Sequence, residues 1–276
     1  MLIAVIFWLS LASLPASLHS QQDQQSQAEP QKHVNAHETV VVGAKPTTEE
    51  IEEYNAEGPI ETALDKASKT YARDDIENAL IQYQSVVGMA EPLKYQESRG
   101  KYLSTAYGRI GDCYFKFKRY QEAERIYQQR FEYLRVWPGI LDSGYAQNYE
   151  SIALVKIVQE QWHEAEEPLQ QAISLFDQQI GHFKKSDDYD EQDVVANDVR
   201  GSQDTALNLL TVVYYHEGRY PGALTLLERA YLQAEKFHAP QATLKLIVDN
   251  GLEAAKAAGN LVAGAIWLKR SLLDVK

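Results

Sequence analysis

The 276-residue chain holds a single cysteine, Cys113. One thiol can form no intramolecular disulfide and no cysteine-based zinc centre, so stability has to come from buried apolar area. Glycine and proline are few, 15 and 9 residues, which suits long helices better than turn-rich β structure. Basic residues are outnumbered: 27 Lys and Arg against 39 Asp and Glu leave a formal net charge of -12. No basic run is long enough to form a patch. Phosphate backbones and anionic bilayers repel such a chain, which argues against nucleic acid or a membrane surface as partner.

Chemical motifs are missing too. There is no Gly-rich phosphate loop, no Gly-x-Ser-x-Gly elbow and no His-Glu-x-x-His pair. His33 and His37 stand four apart beside Glu38, but in a polar segment without a scaffold. His163 follows Trp162 at a turn and reads as a surface residue. Cys113 has no base or orienting group in view, so it reads as a small buried hydrophobe rather than a nucleophile. The sequence therefore predicts no cofactor, no metal and no catalytic residue: a non-enzymatic protein.

What is present begins with an apolar run, Leu2 to Leu14. Thirteen residues are too short to cross a bilayer, which takes roughly 20. Pro15 ends the run, and Ala16, Ser17 and Ser20 offer small residues for cleavage, the layout of a secretory signal peptide over residues 1–20. The n-region carries no Lys or Arg, and no Cys follows for lipidation. The absence of an Asn-x-Ser/Thr acceptor disfavours a eukaryotic secretory route, so the leader points to a bacterial, periplasmic or secreted protein. Residues 21–48, opening with QQDQQSQAEPQ, are too polar to fold and read as a disordered Gln-rich linker. Within it, Glu38 to Ala44 is rich in β-branched residues and resembles a short TonB-box segment, although no receptor barrel follows.

From residue 49 onward the chain repeats itself. Tyr107, Ile110, Gly111 and Tyr114 are followed by a turn and then Tyr120, Ala123 and Tyr127. The same frame returns as Tyr149, Ile152, Ala153, Trp162, Ala165 and Leu169, and again as Leu207, Leu210, Tyr214, Tyr220, Ala223 and Leu227. Weaker copies hold Ala67, Tyr71, Ala79 and Tyr83 before it, and Gly251, Ala254, Ala263 and Trp267 after it. Helical periodicity puts the bulky residues on one face, and Gly111 and Ala123 read as matched small residues that let two helices approach.

This frame resembles the tetratricopeptide repeat. The alanines at 79, 123, 165, 223 and 263 are separated by 44, 42, 58 and 40 residues, longer than the standard 34. The resemblance is thus to the longer-helix, kinesin light chain-like variety, about 42 residues per repeat. It implies an all-α, right-handed superhelical stack of about five hairpins, near 60–93, 104–137, 146–179, 204–237 and 244–276. The wide gap contains an insertion, Gly181 to Ser202. Its acidic run, Asp187 to Asp193, lacks the glycine and closing glutamate of a calcium loop and reads as a solvated loop or helical turn.

Family geometry further implies that residues five, nine and twelve of each first helix face a concave groove that binds another protein or peptide. Those positions nominate Tyr71, Asp112, Phe115, Glu150, Ile157, Asn208 and Tyr215. The same spacing also suits packing against a neighbouring helix, which would make these residues core. The family's carboxylate clamp needs Lys, Asn and Arg where this chain has Leu64, Ser68, Gly108, Asp112, Gln147 and Ser151, so a chaperone-tail clamp is absent. Two functions fit: an exported scaffold or adaptor holding a protein segment, or an architectural homo-oligomer joined through apolar repeat ends such as Ile266, Leu268 and Leu272. After leader removal no membrane insertion is expected.

Overall fold

A computed structural model describes residues 47–137, 143–183, 194–237, 239 and 241–273. The proposed leader, most of the linker with its Glu38–Ala44 island, and the acidic run at 187–193 lie outside these residues. The described residues form ten helices and no strand: α1 (Thr48–Ala72), α2 (Ile76–Ala90), α3 (Gln96–Lys116), α4 (Tyr120–Leu134), α5 (Ser143–Val158), α6 (Trp162–Phe183), α7 (Val194–His216), α8 (Tyr220–Lys236), α9 (Gln241–Ala257) and α10 (Leu261–Leu273). They pair as five antiparallel hairpins. Two compact units divide between Leu141 and Asp142: α1–α4 make the first, α5–α10 the second.

Each hairpin turns in the same way. Asp74, Lys118, Glu160, Gly218 and Gly259 hold positive φ between 59° and 71°. The residue after each of them donates its N–H to the carbonyl five back: Asp75 to Thr70, Arg119 to Tyr114, Gln161 to Lys156, Arg219 to Tyr214 and Asn260 to Ala255, at 2.8 to 3.3 Å. These are Schellman closures, which satisfy the last carbonyls of a helix through one left-handed residue. The next helix then starts at once. Asp75 caps α2 by accepting from the Asn78 N–H, and Asn260 caps α10 by accepting from the Ala263 N–H.

In the first unit, Ala67, Ile76, Ala79, Tyr83, Ile110, Cys113 and Ile126 form one buried cluster, and Ile60, Val86, Ala90, Leu93, Tyr102, Leu103 and Ala106 another. In the second, Leu227, Ala230, Tyr231, Ile247, Val248, Ala254 and Trp267 anchor the C-terminal hairpins. The frame alanines 79, 123, 165 and 223 are buried and Ala263 is partly buried. Helix α1 runs twelve residues ahead of Ile60, which is 1% exposed. The insertion is in part an extension of the helices that flank it, since α6 has 22 residues and α7 has 23.

One packing expectation is corrected. Gly111 does not sit against a matching small residue; the space above it is filled by the ring of Tyr127, one turn beyond Ala123. Gly251 receives the ring of Trp267 in the same way. In both pairs the partners are sixteen residues apart, as are the buried pairs Ala67 and Tyr83, Ala153 and Leu169, Thr211 and Leu227. In the two glycine pairs a large side chain from the second helix is seated in a notch of the first.

Candidate functional site

The position-twelve residues sit in the last turn of the first helix of each hairpin. Tyr71, Phe115, Ile157 and Tyr215 offer the carbonyls that accept the N–H of the left-handed residue. Phe115 tilts against Tyr120 at 5.5 Å between ring centroids, and Tyr215 meets Tyr220 edge-on at 5.3 Å. In both, an aromatic braces the turn against the first residue of the following helix. Tyr71 packs on the cluster around Ala79, and burial, followed by the nearby Asp112, pushes its hydroxyl well above the usual range. Tyr215, Phe115 and Asn208 keep part of their surface open. Ile157 is 1% exposed.

The two acidic positions are buried as well. Asp112 accepts from the Tyr127 hydroxyl at 2.8 Å, and Arg109 approaches it to 3.8 Å. Glu150 is 1% exposed, and neither of its carboxyl oxygens has a hydrogen-bond partner. Desolvation raises its carboxyl well above the ordinary carboxylate value. Of the seven nominated residues, then, Asp112, Glu150 and Ile157 have the burial expected of the packing alternative. In the first unit Tyr71 and Asp112 come within electrostatic reach of each other. In the second, no hydrogen bond or ring contact among the described residues joins Glu150, Asn208 and Tyr215.

Sequence reasoning missed Arg130. Its guanidinium lies against Gly108, 3.0 Å from where a Cβ would stand, and its Nε is buried without a partner. Burial pulls it down to about 10, with Asp112 opposing that shift. The equivalent positions of the other hairpins hold Val86, Ala172, Ala230 and Arg270, so an arginine recurs there once, in the last hairpin. The buried Cys113 thiol is pushed up to about 12, first by burial and then by Asp112, and at neutral pH it is not a nucleophile.

A second feature lies at the turns of the second unit. Glu160, Gln161, Trp162, His163, Glu164 and Glu217 line an open cavity of about 320 Å³. Trp162 stacks on His216, with ring centroids 3.9 Å apart. The Arg219 guanidinium lies over the Tyr214 ring and reaches Glu166 at 2.5 Å and Glu217 at 2.9 Å. Tyr214 donates to the same Glu166 at 2.9 Å. The arginine holds the Glu166 carboxyl below its ordinary value. His163, Glu166 and Glu217 have ligand atoms within 4.8 Å of one another, a metal-capable spacing. Arg219 already supplies the positive charge there, so the donor set does not fit a divalent cation while that side chain is in place.

Residues 102–178 and 205–232 match tetratricopeptide-repeat family models. These two stretches are tetratricopeptide repeats. Solved structures share the fold of these repeats. The crystal structure of BtubC (BKLC) from P. vanneervenii is 19% identical and superposes with a TM-score of 0.62, covering 83% of this chain and 91% of that one. A Podosopora anserina putative kinesin light chain with nearly identical TPR-like repeats is 15% identical, with a TM-score of 0.55 over 78% of this chain and 94% of that one. No curated protein matches the sequence. Tetratricopeptide repeats generally mediate protein–protein interaction and are typically non-enzymatic. No described helix is long and apolar enough to cross a membrane.

Proposed function

We propose that this tetratricopeptide-repeat protein is an exported, non-catalytic scaffold or adaptor. Its repeats hold a protein or peptide segment along the first helices of the hairpins. The observation that carries the reading is the partial exposure of Phe115, Asn208 and Tyr215, on α3 and α7, in repeats whose family role is protein recognition. Aromatic and amide side chains are suited to gripping an extended segment through apolar contact and backbone hydrogen bonds. Export rests on the apolar run before Pro15 and the small residues after it.

Two measurements test this. N-terminal sequencing of the protein from the extracytoplasmic fraction should find the chain beginning near residue 21. Panning a displayed peptide library against the mature chain should enrich a sequence family that loses affinity at least tenfold when Asn208 and Tyr215, both on α7, are replaced by Ala while helicity is retained. No enrichment, or enrichment indifferent to the double variant, rejects the groove.

A second reading, self-association through the repeat end, has its own observation. On α10, Leu261 is 89% exposed, Val262 73% and Leu272 68%. Sedimentation over a hundredfold concentration range would show a rising mass in the wild type that L261K/L272K abolishes.

A further inference from the structure

Two carboxyl groups of the second unit carry buried oxygens that accept no hydrogen bond among the described residues, both oxygens of Glu150 and Oδ1 of the half-buried Asp204. Glu150, on α5, has both oxygens sequestered and without hydrogen bonds. Among the described residues no charged group acts on it, and burial raises its carboxyl. Asp204, on α7, likewise has its Oδ1 buried and unpartnered. Among the described residues the charge acting on it is Arg229 of α8, and Arg229 is engaged by Asp177 of α6 at 2.6 Å. That aspartate also accepts from Gln203 at 2.8 Å, and Gln203 accepts from Gln233. On α7 itself, Arg200 lies over the Phe237 ring at 3.9 Å. The polar ladder across α6, α7 and α8 is therefore built around Asp177 and does not reach the buried Oδ1 of Asp204.

We infer that the second unit carries an acid-tightened lock: Glu150 and Asp204 are protonated in the closed helices, and their ionisation as pH rises loosens α5 and α7. Asp204 is pushed up to about 7 and Glu150 in the same direction, both first by desolvation. A carboxyl whose folded-state value is raised binds its proton more tightly when folded than when open. Stability is then complete below the ordinary carboxylate value near 4 and falls as pH climbs through the folded value. Asp204 places that window between about 4 and 7, and Glu150 acts in the same direction. The lock does not depend on peptide binding.

Hydrogen exchange of the full-length mature chain, read by mass spectrometry and corrected for intrinsic rates, tests this. Between pH 5 and pH 8 the opening equilibrium of peptides from α5 and α7 should rise by at least about tenfold. The isosteric double variant E150Q/D204N should lose that dependence. If it does not fold, E150Q and D204N alone should each remove part of it. Corrected protection that is independent of pH in the wild type overturns the lock. So does a slope that persists unchanged in the variants.

Discussion

The Tyr127 ring lies over the bare backbone of Gly111, and Trp267 lies over Gly251 in the same way, in hairpins of two different units. A methyl group at either glycine would occupy the space of the ring. Gly111→Ala is therefore expected to destabilise the chain by roughly 1–3 kcal/mol, the usual cost of overpacking, despite the better helix propensity of alanine. Gly88→Ala, in α2 with open space around it, is expected to stabilise by about 0.5–1 kcal/mol. Urea unfolding followed by far-ultraviolet dichroism gives both signs.

Lys118 and Glu160 adopt left-handed backbone at φ 59° and 60° in turns where two other hairpins use glycine. A side chain costs energy there that glycine avoids. Lys118→Gly and Glu160→Gly should each raise the unfolding midpoint, by roughly 0.5–1 kcal/mol, while Gly218→Ala should lower it by about 1 kcal/mol. Thermal melts of the three variants check this.

Tyr127 also donates a hydrogen bond to Asp112, both being buried. Tyr127→Phe keeps the ring on Gly111 and removes only the donor. The expected loss is about 1–3 kcal/mol, measured in the same urea assay.

Arg219 stands among His163, Glu166 and Glu217 and neutralises the carboxylates. As a pair that is 44% exposed on the arginine side, it contributes at most about 1 kcal/mol to stability. Removing it should change chemistry more than stability: Arg219→Ala should bind Zn²⁺ measurably in calorimetry where the wild type does not. The further change His163→Ala should weaken that binding.

The repeat frame was legible because it is written in side-chain size at fixed spacing. Ala67, Ala153 and Gly251 recur sixteen residues before Tyr83, Leu169 and Trp267, and a reader of the chain alone sees the period. Which small residue meets which large one was not visible, since that depends on where two antiparallel helices cross. Gly111 and Ala123 looked like partners in one dimension; in three, the crossing sets Gly111 beneath Tyr127. Glu150 was nominated for a polar role by its position in the frame, and nothing in its neighbours along the chain announces that no cation is near.

The sequence by itself determined the helices, their pairing in hairpins and the long-helix repeat, because apolar periodicity and turn-forming residues act over a few positions along the chain. Only the tertiary structure decided which polar side chains are enclosed: Arg130 against Gly108, Glu150 without a partner, Asp204 beside an arginine already engaged by Asp177. Burial and charge compensation are properties of the volume around a side chain. That volume is filled by residues far along the chain, such as Asp177 and Arg229, 52 positions apart.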